Sequence, residues 1–183
     1  MKVPLADEKM FLQMPDGSNV VNAKEAFRDI PDIEVKSSLP RWICLRIAPE
    51  LPLKEKVVTF FRGQMANLSE DLCEKMCLAL DELLSNAMEH GGRVEPRCGC
   101  ELTYLRTPRL IMLQIRDAGP GFSLNAIDHA AVNNPPEDPL RHAELRLQKG
   151  MRPGGFGILL VKQIADDLIY NETGNEVTLV KYL

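Results

Sequence analysis

Apolar residues recur every three or four positions in three parts of the chain, the spacing of one helix face. The first part is residues 52–66, and the second begins at Ser69 and continues to about His90. Ser69 is a suitable N-cap, and Gly91-Gly92 is a suitable stop for the second helix. A third apolar helix is expected over residues 157–168. The pattern therefore predicts three helices that each turn one face to a core.

Strands are predicted where apolar and polar residues alternate. We expect them at residues 42–47, 98–106, 109–117, 168–172 and 176–182. Thr107-Pro108 would join the second to the third, and Gly174-Asn175 the fourth to the fifth. Residues 30–40 contain two prolines and a serine pair, which predicts a linker before the first core strand.

Length and composition predict one folded domain. A chain of 183 residues can bury one sizeable core, and a hydrophobic fraction of 45% is typical of globular proteins. We divide it into an N-terminal extension, residues 1–38, which could be an arm or a hairpin and could contact a partner, and a main domain, residues 39–183. Residues 120–155, rich in Pro, Asn, Asp and Gly, are expected to form a lid.

Charge and hydropathy exclude some functions. The net charge of −4 lacks the basic excess of a nucleic-acid-binding surface, so no nucleic-acid partner is expected. No apolar run reaches the roughly 18 to 20 residues of a membrane span, and the N-terminus lacks a signal-peptide core. We therefore expect a cytoplasmic protein without a membrane partner. Its five cysteines, an odd number without zinc spacing, are expected to be reduced thiols.

The long helix carries a polar row at the edge of its apolar stripe. Glu82, Asn86 and Glu89 are spaced i, i+4 and i+7, which places them on one side of the helix. An amide oxygen in such a row can hold a divalent cation, and a carboxylate can act as a general base. The alternative is an ordinary solvated helix edge.

A carboxylate ends the strand at residues 109–117. Alternation puts Asp117 on the same face as Ile111, Leu113 and Ile115. The glycines of Ala118-Gly119-Pro120-Gly121, which follow at once, allow a ligand to approach the backbone. A carboxylate in an apolar slot can accept a hydrogen bond from an exocyclic amino group such as that of adenine. The alternative is a common Asp-Gly turn at a strand end.

Glycines precede the last predicted helix. The sequence Gly150-Met-Arg-Pro-Gly-Gly-Phe-Gly157 would expose backbone N–H groups and the positive end of the helix dipole to phosphate oxygens. It matches neither a Walker A loop nor a Rossmann fingerprint. A glycine-rich turn without a ligand is the alternative.

Taken together, the three segments resemble the motifs of the GHKL (Bergerat-fold) ATPases. Glu82-Leu-Leu-Ser-Asn86-Ala-Met-Glu-His90-Gly91 is similar to their N box, Asp117-Ala-Gly-Pro-Gly121-Phe to their first glycine box, and Gly154-Gly-Phe-Gly157-Ile-Leu-Leu-Val to their second. Within this superfamily the chain most resembles the bacterial anti-sigma-factor serine/threonine kinases. The resemblance covers about residues 42–183.

The resemblance implies a fold and a set of site residues. The fold is an α/β two-layer sandwich, a mixed and mainly antiparallel sheet with the helices on one face. Glu82 would be the general base and Asn86 the ligand of Mg²⁺, while Asp117 would read the adenine of ATP. Arg152 would supply a cation near the γ-phosphate. The remaining nucleotide-binding residues would be Glu89, His90, Gly119, Gly121, Gly154, Gly155, Phe156, Gly157 and Thr178.

Two positions depart from the family pattern. Pro153 stands where such kinases often have an arginine, which leaves Arg152 one residue away. Glu176 stands where a threonine is expected, with Thr178 nearby. The implied function is phosphorylation of an anti-anti-sigma (STAS-like) partner, with a sigma factor as a second partner and a homodimer as the assembly. The alternatives are a non-catalytic ATP-dependent binding module and a detached histidine-kinase catalytic domain, which the lack of a phospho-accepting helix pair disfavours.

Overall fold

The computed structural model describes residues 11–13, 19–91, 99–121 and 157–183. The strands in these ranges are β1 (Phe11–Gln13), β2 (Asn19–Val21), β3 (Ile33–Leu39), β4 (Trp42–Ile47), β5 (Cys100–Arg106), β6 (Leu110–Asp117), β7 (Asp167–Tyr170) and β8 (Glu176–Tyr182). The α-helices are α1 (Ala23–Ala26), α2 (Leu51–Gln64), α3 (Glu70–Asn86) and α4 (Gly157–Ile164). The predicted lid, residues 120–155, lies outside the described residues except for its first two positions.

Six strands form one sheet in the order β3-β4-β5-β6-β8-β7. Each neighbouring pair in this sheet is antiparallel, so the described part of the sheet is purely antiparallel where a mixed sheet was predicted. The two-layer α/β architecture and the strand assignments from β4 onward are confirmed. None of the helices in the described ranges is long and apolar enough to cross a membrane.

The first strand of the sheet was not predicted. The interpretation of residues 30–40 as a linker is wrong, because β3 pairs with β4 from Ile33 opposite Ile47 to Leu39 opposite Trp42. Pro31 and Pro40 lie just outside β3, so the prolines bound the strand and do not interrupt it. The division proposed at residue 38 falls inside β3. Before it, β1 and β2 form a hairpin, one of the two alternatives for the N-terminal extension.

One face of the sheet is buried under the helices. The side chains that fill this helical face are Ile43, Leu45, Ile47, Leu102, Tyr104, Ile111, Leu113, Ile115 and Leu179. The Phe61 ring of α2 lies 5.1 Å from the Tyr104 ring of β5, centroid to centroid. The opposite face, called the open face below, carries the alternate strand residues, among them Trp42, which is 55% exposed.

The last helix ends earlier than its apolar pattern predicts. α4 stops at Ile164, whereas residues 157–168 were expected to be helical. The Asp166 carboxylate accepts hydrogen bonds from Lys181 Nζ at 2.9 Å and from the Tyr182 N–H at 2.6 Å. The Asp166 N–H donates to the Val180 carbonyl at 3.0 Å. These bonds to β8 hold Asp166 against the sheet, where it cannot continue the helix.

Candidate functional site

Helix α3 supplies the first part of the site. The Ser69 hydroxyl caps its start by accepting the Leu72 N–H at 3.4 Å, as predicted. Glu82 and Asn86 are half-buried near its end. The regular helix stops at Asn86, and a π-helical turn, Ala87–Gly91, follows in which Glu89 is exposed. Such turns are frequent at functional sites and change which side chains face the core.

The rotation of α3 about its axis is fixed by contacts on two sides. On one side, Lys54 Nζ of α2 donates to Asp81 Oδ2 at 2.8 Å and to Ser85 Oγ at 3.0 Å. Asp81 and Ser85 each precede a candidate residue, so Glu82 and Asn86 lie about 100° further round α3 than the side that Lys54 contacts. The sequence analysis did not select Lys54, because a lysine near a helix start carries no signal that identifies its partner.

On the other side, Glu82 lies against the first residue of α4. A Cβ atom added to Gly157 would be 2.3 Å from Glu82 Oε2 and 3.2 Å from Glu82 Cδ. Because even an alanine methyl group would displace the carboxylate, glycine is the residue that permits this approach. The structure thus brings together the acid of the predicted N box and the start of the helix expected to hold phosphate.

Asp117 forms the second part of the site, at the end of β6. It is half-buried and lies opposite Cys100 of β5. Burial, together with the negative charge of Asp117, raises the pKa of the Cys100 thiol to about 12. Asp117 therefore lies on the helical face with Ile111, Leu113 and Ile115, as the alternation predicted. Its Oδ1 atom accepts a hydrogen bond of 2.7 Å from the Gly119 N–H.

The glycine turn after Asp117 is tightly packed. Gly119 is buried, and Gly121 has a φ of +74°, which side-chain-bearing residues rarely adopt. A Cβ at Gly121 would be 2.0 Å from the Thr173 carbonyl oxygen. Thr173 belongs to the turn between β7 and β8, whose contact with this glycine turn was not predicted. The sequence signals for both segments were turn signals only.

The structure does not bring Thr178 to the other candidates. Thr178 lies opposite Gln114 of β6 and Ile169 of β7. Its neighbours Val177 and Leu179 are buried on the helical face. Because successive strand residues point to opposite faces, Thr178 points to the open face, across the sheet from Asp117. We therefore leave Thr178 out of the site, and Glu176 shares its face.

Arg152 and three predicted residues of the second glycine box, Gly154, Gly155 and Phe156, lie outside the described residues, as does the side chain of His90. Their roles stay predictions. Within the described ranges, no group of three or more His, Cys, Asp and Glu side chains could hold a metal ion. Mg²⁺ commonly uses one or two protein oxygens together with phosphate oxygens, and the half-buried Asn86 amide suits that arrangement.

A cleft of about 410 Å³ lies behind the glycine turn, on the side of the open face. Its charged lining residues are Arg46, Glu101 and Arg116 together with Asp117 of the candidate site, and Ala118 and Asn175 also line it. Arg46 binds Glu101 at 2.9 Å, and Arg116 lies 3.9 Å from Glu176. The basic side chains of this cleft thus have acidic neighbours. The cleft reaches Asp117, and Glu82 is not among its lining residues.

Comparison with known proteins identifies the domain. The family model of the histidine kinase-like ATPase domain matches residues 53–181. The serine-protein kinase RsbW of Listeria monocytogenes serovar 1/2a is 26% identical over 145 residues, which cover 75% of this chain and 87% of that protein. RsbW of Oceanobacillus iheyensis is 26% identical over 116 residues, 63% of this chain and 68% of the relative. The chain belongs to the histidine kinase-like ATPase domain family, the GHKL superfamily that its three motifs predicted, and within it resembles the serine-protein kinases RsbW.

Proposed function

We propose that this protein is an ATP-dependent protein serine/threonine kinase that phosphorylates a small anti-anti-sigma (STAS-like) protein. In another nucleotide state it would bind a sigma factor, so that transcription is regulated by exchange of partners in the cytoplasm. The observation that carries the proposal is the contact between Glu82 and Gly157 at the start of α4. The similarity to serine-protein kinases supports the choice of a hydroxyl acceptor. A homodimer remains a prediction.

The helix start and the carboxylate suggest how transfer would occur. Phosphate oxygens are stabilised at a helix N-terminus by exposed N–H groups and by the helix dipole. Glu82 beside this terminus would take the proton of the incoming serine or threonine hydroxyl on a carboxylate oxygen. The hydroxyl oxygen then forms a bond to the γ-phosphorus, and the bond to ADP breaks. Bound Mg²⁺ would neutralise phosphate charge, with Asn86 as its protein ligand.

Asp117 would determine which nucleobase the site accepts. Asp117 is half-buried at the end of β6, on the same face as the buried apolar residues of that strand, so part of the residue is open to a ligand. A carboxylate there can accept a hydrogen bond from the amino group of adenine, and guanine has no such group at the same ring position. Gly119 and Gly121 would form the wall of the base pocket beside it.

The open-face position of Thr178 favours a second candidate function, a non-catalytic module in which ATP sets the affinity for a protein partner. A residue expected to assist nucleotide binding in the kinases does not face the site in this chain. The presence of Pro153 where such kinases often have an arginine also favours the non-catalytic module. Both candidates share the ATP site and differ only in whether phosphate is transferred.

A transfer assay separates these functions. The protein is incubated with γ-labelled ATP, Mg²⁺ and a purified STAS-like protein from the same organism. We expect acid-stable label on the partner, and none on a partner whose acceptor serine or threonine is replaced by alanine. Absence of label with protein that binds ATP would support the module, and acid-labile label would indicate a histidine kinase. Either result would overturn the proposal.

A further inference from the structure

The turn between β7 and β8 is organised by one asparagine side chain. Asn171 Oδ1 accepts three backbone N–H bonds, from Gly174 at 2.7 Å, Asn175 at 3.1 Å and Glu176 at 3.2 Å. The Gly174 N–H also donates to the Asn171 carbonyl at 3.1 Å. Asparagine commonly caps turns in this way, because its side-chain oxygen replaces a backbone acceptor. The turn is therefore held in one conformation from within.

A second asparagine connects this turn to the glycine turn of the site. Asn171 Nδ2 donates to Asn175 Oδ1 at 2.8 Å. Because the Asn175 oxygen is used in this way, its amino group points in the opposite direction. The Asn175 Nδ2 atom lies 3.4 Å from the carbonyl oxygens of both Asp117 and Gly119. The two amides thus form a chain from the β7–β8 turn to the backbone on either side of Ala118.

Two backbone contacts reinforce this connection. The Asp117 N–H donates to the Asn175 carbonyl at 3.0 Å, which extends the pairing of β6 and β8 by one bond. The Thr173 carbonyl oxygen lies so close to Gly121 that a Cβ there would be 2.0 Å away. The glycine turn is therefore contacted at residues 117, 119 and 121 by a single neighbouring segment.

We infer that Asn175 is a positioning residue for the nucleobase end of the ATP site, with Asn171 fixing its orientation. This inference rests on the proposed nucleotide-binding role of Asp117. Asn175 Nδ2 contacts the carbonyl groups of Asp117 and Gly119. These two carbonyls flank the peptide group whose N–H, that of Gly119, binds Asp117 Oδ1. Fixing these peptide planes fixes the direction of the Asp117 carboxylate. Asn175 thus acts on adenine recognition through Asp117.

The test compares two nucleotides that differ only in the group Asp117 would bind. ATP carries the exocyclic amino group, and purine riboside triphosphate lacks it. Competition with a fluorescent ATP analogue measures the affinity of the full chain for each, with Mg²⁺ present. In Asn175→Ala, we expect affinity for ATP to fall about three- to tenfold, the size of one or two lost hydrogen bonds. Affinity for purine riboside triphosphate should fall less, so the preference for ATP shrinks.

If Asn175 had a purely structural role, its replacement would lower the affinity for both nucleotides equally and leave the preference for ATP unchanged. That result would overturn the inference. Asn171→Asp keeps the oxygen that caps the turn and removes the donor to Asn175, so it should shift the preference in the same direction. It decides the question if Asn175→Ala does not fold, as judged by thermal melting. Glu172→Gln, an exposed change in the same turn, is the matched control and should have no effect.

The outcomes also separate this inference from the proposed function. If the wild-type protein binds neither nucleotide, both the ATP site and the positioning role of Asn175 are refuted. If it prefers ATP and the preference survives in Asn175→Ala and Asn171→Asp, only the positioning role is refuted. A reduced preference for ATP in both variants supports both the ATP site and the positioning role of Asn175.

Discussion

Replacing Glu82 by glutamine is expected to slow phosphate transfer to the partner protein by roughly 100-fold or more, the usual contribution of a general base. Glutamine has nearly the same shape but cannot accept the proton of the attacking hydroxyl. Because Glu82 would act on the acceptor protein, affinity for ATP should change little. Single-turnover transfer from labelled ATP, beside calorimetric titration with ATP and Mg²⁺, measures the two effects separately.

Glu74→Gln provides the matched control, since Glu74 is an exposed acid two turns earlier on the same helix. It removes the same charge from α3 and should leave the transfer rate unchanged. A Glu82→Gln variant that transfers phosphate at the wild-type rate would exclude Glu82 as the base. Loss of ATP binding in that variant would instead assign Glu82 to nucleotide binding.

Replacing Gly121 by alanine is expected to lower the free energy of unfolding by at least about 2 kcal/mol. The φ of +74° is unfavourable for alanine, and its methyl group would overlap the Thr173 carbonyl oxygen at 2.0 Å. That atom is backbone in a turn capped by Asn171, so it cannot move as a flexible side chain would. The melting temperature should fall by roughly 4–8 °C, and ATP affinity should fall because the base pocket is displaced.

Gly63→Ala is the control for this change. Gly63 is exposed within α2, where alanine is the better helix former, so the variant should be as stable as the wild-type protein or more stable. Wild-type stability and ATP affinity in Gly121→Ala would show that the glycine turn does not pack on Thr173 as described.

Periodicity predicted those parts of the site that depend on position within one element. The spacing of Glu82 and Asn86 placed both on one side of the long helix, at the edge of its apolar stripe, and alternation placed Asp117 on the helical face. Both predictions depend only on the repeat of a helix or a strand. The same rule, applied to β8, would have put Thr178 on the open face, but the role of Thr178 was taken from the family pattern. A shift of one residue in a strand reverses the face.

The features that sequence reasoning missed depend on contacts between distant segments. Prolines at both ends of β3 and its serine pair resemble a linker, and only pairing with β4 makes the segment a strand. The end of α4 is set by bonds from Asp166 to β8. The Asn175 side chain reaches residues more than 50 positions earlier in the chain. Glycine at position 157 was predicted to approach phosphate, and the observed neighbour is Glu82.

The most direct test of the central claim is calorimetric titration of the purified full chain with ATP and Mg²⁺, beside the Asp117→Asn variant. The account predicts binding by the wild-type protein in the micromolar to millimolar range and its loss in Asp117→Asn, whose amide would present a donor or a weaker acceptor to adenine. Wild-type protein that binds no ATP, or a variant that binds it equally well, would contradict the assignment of this site.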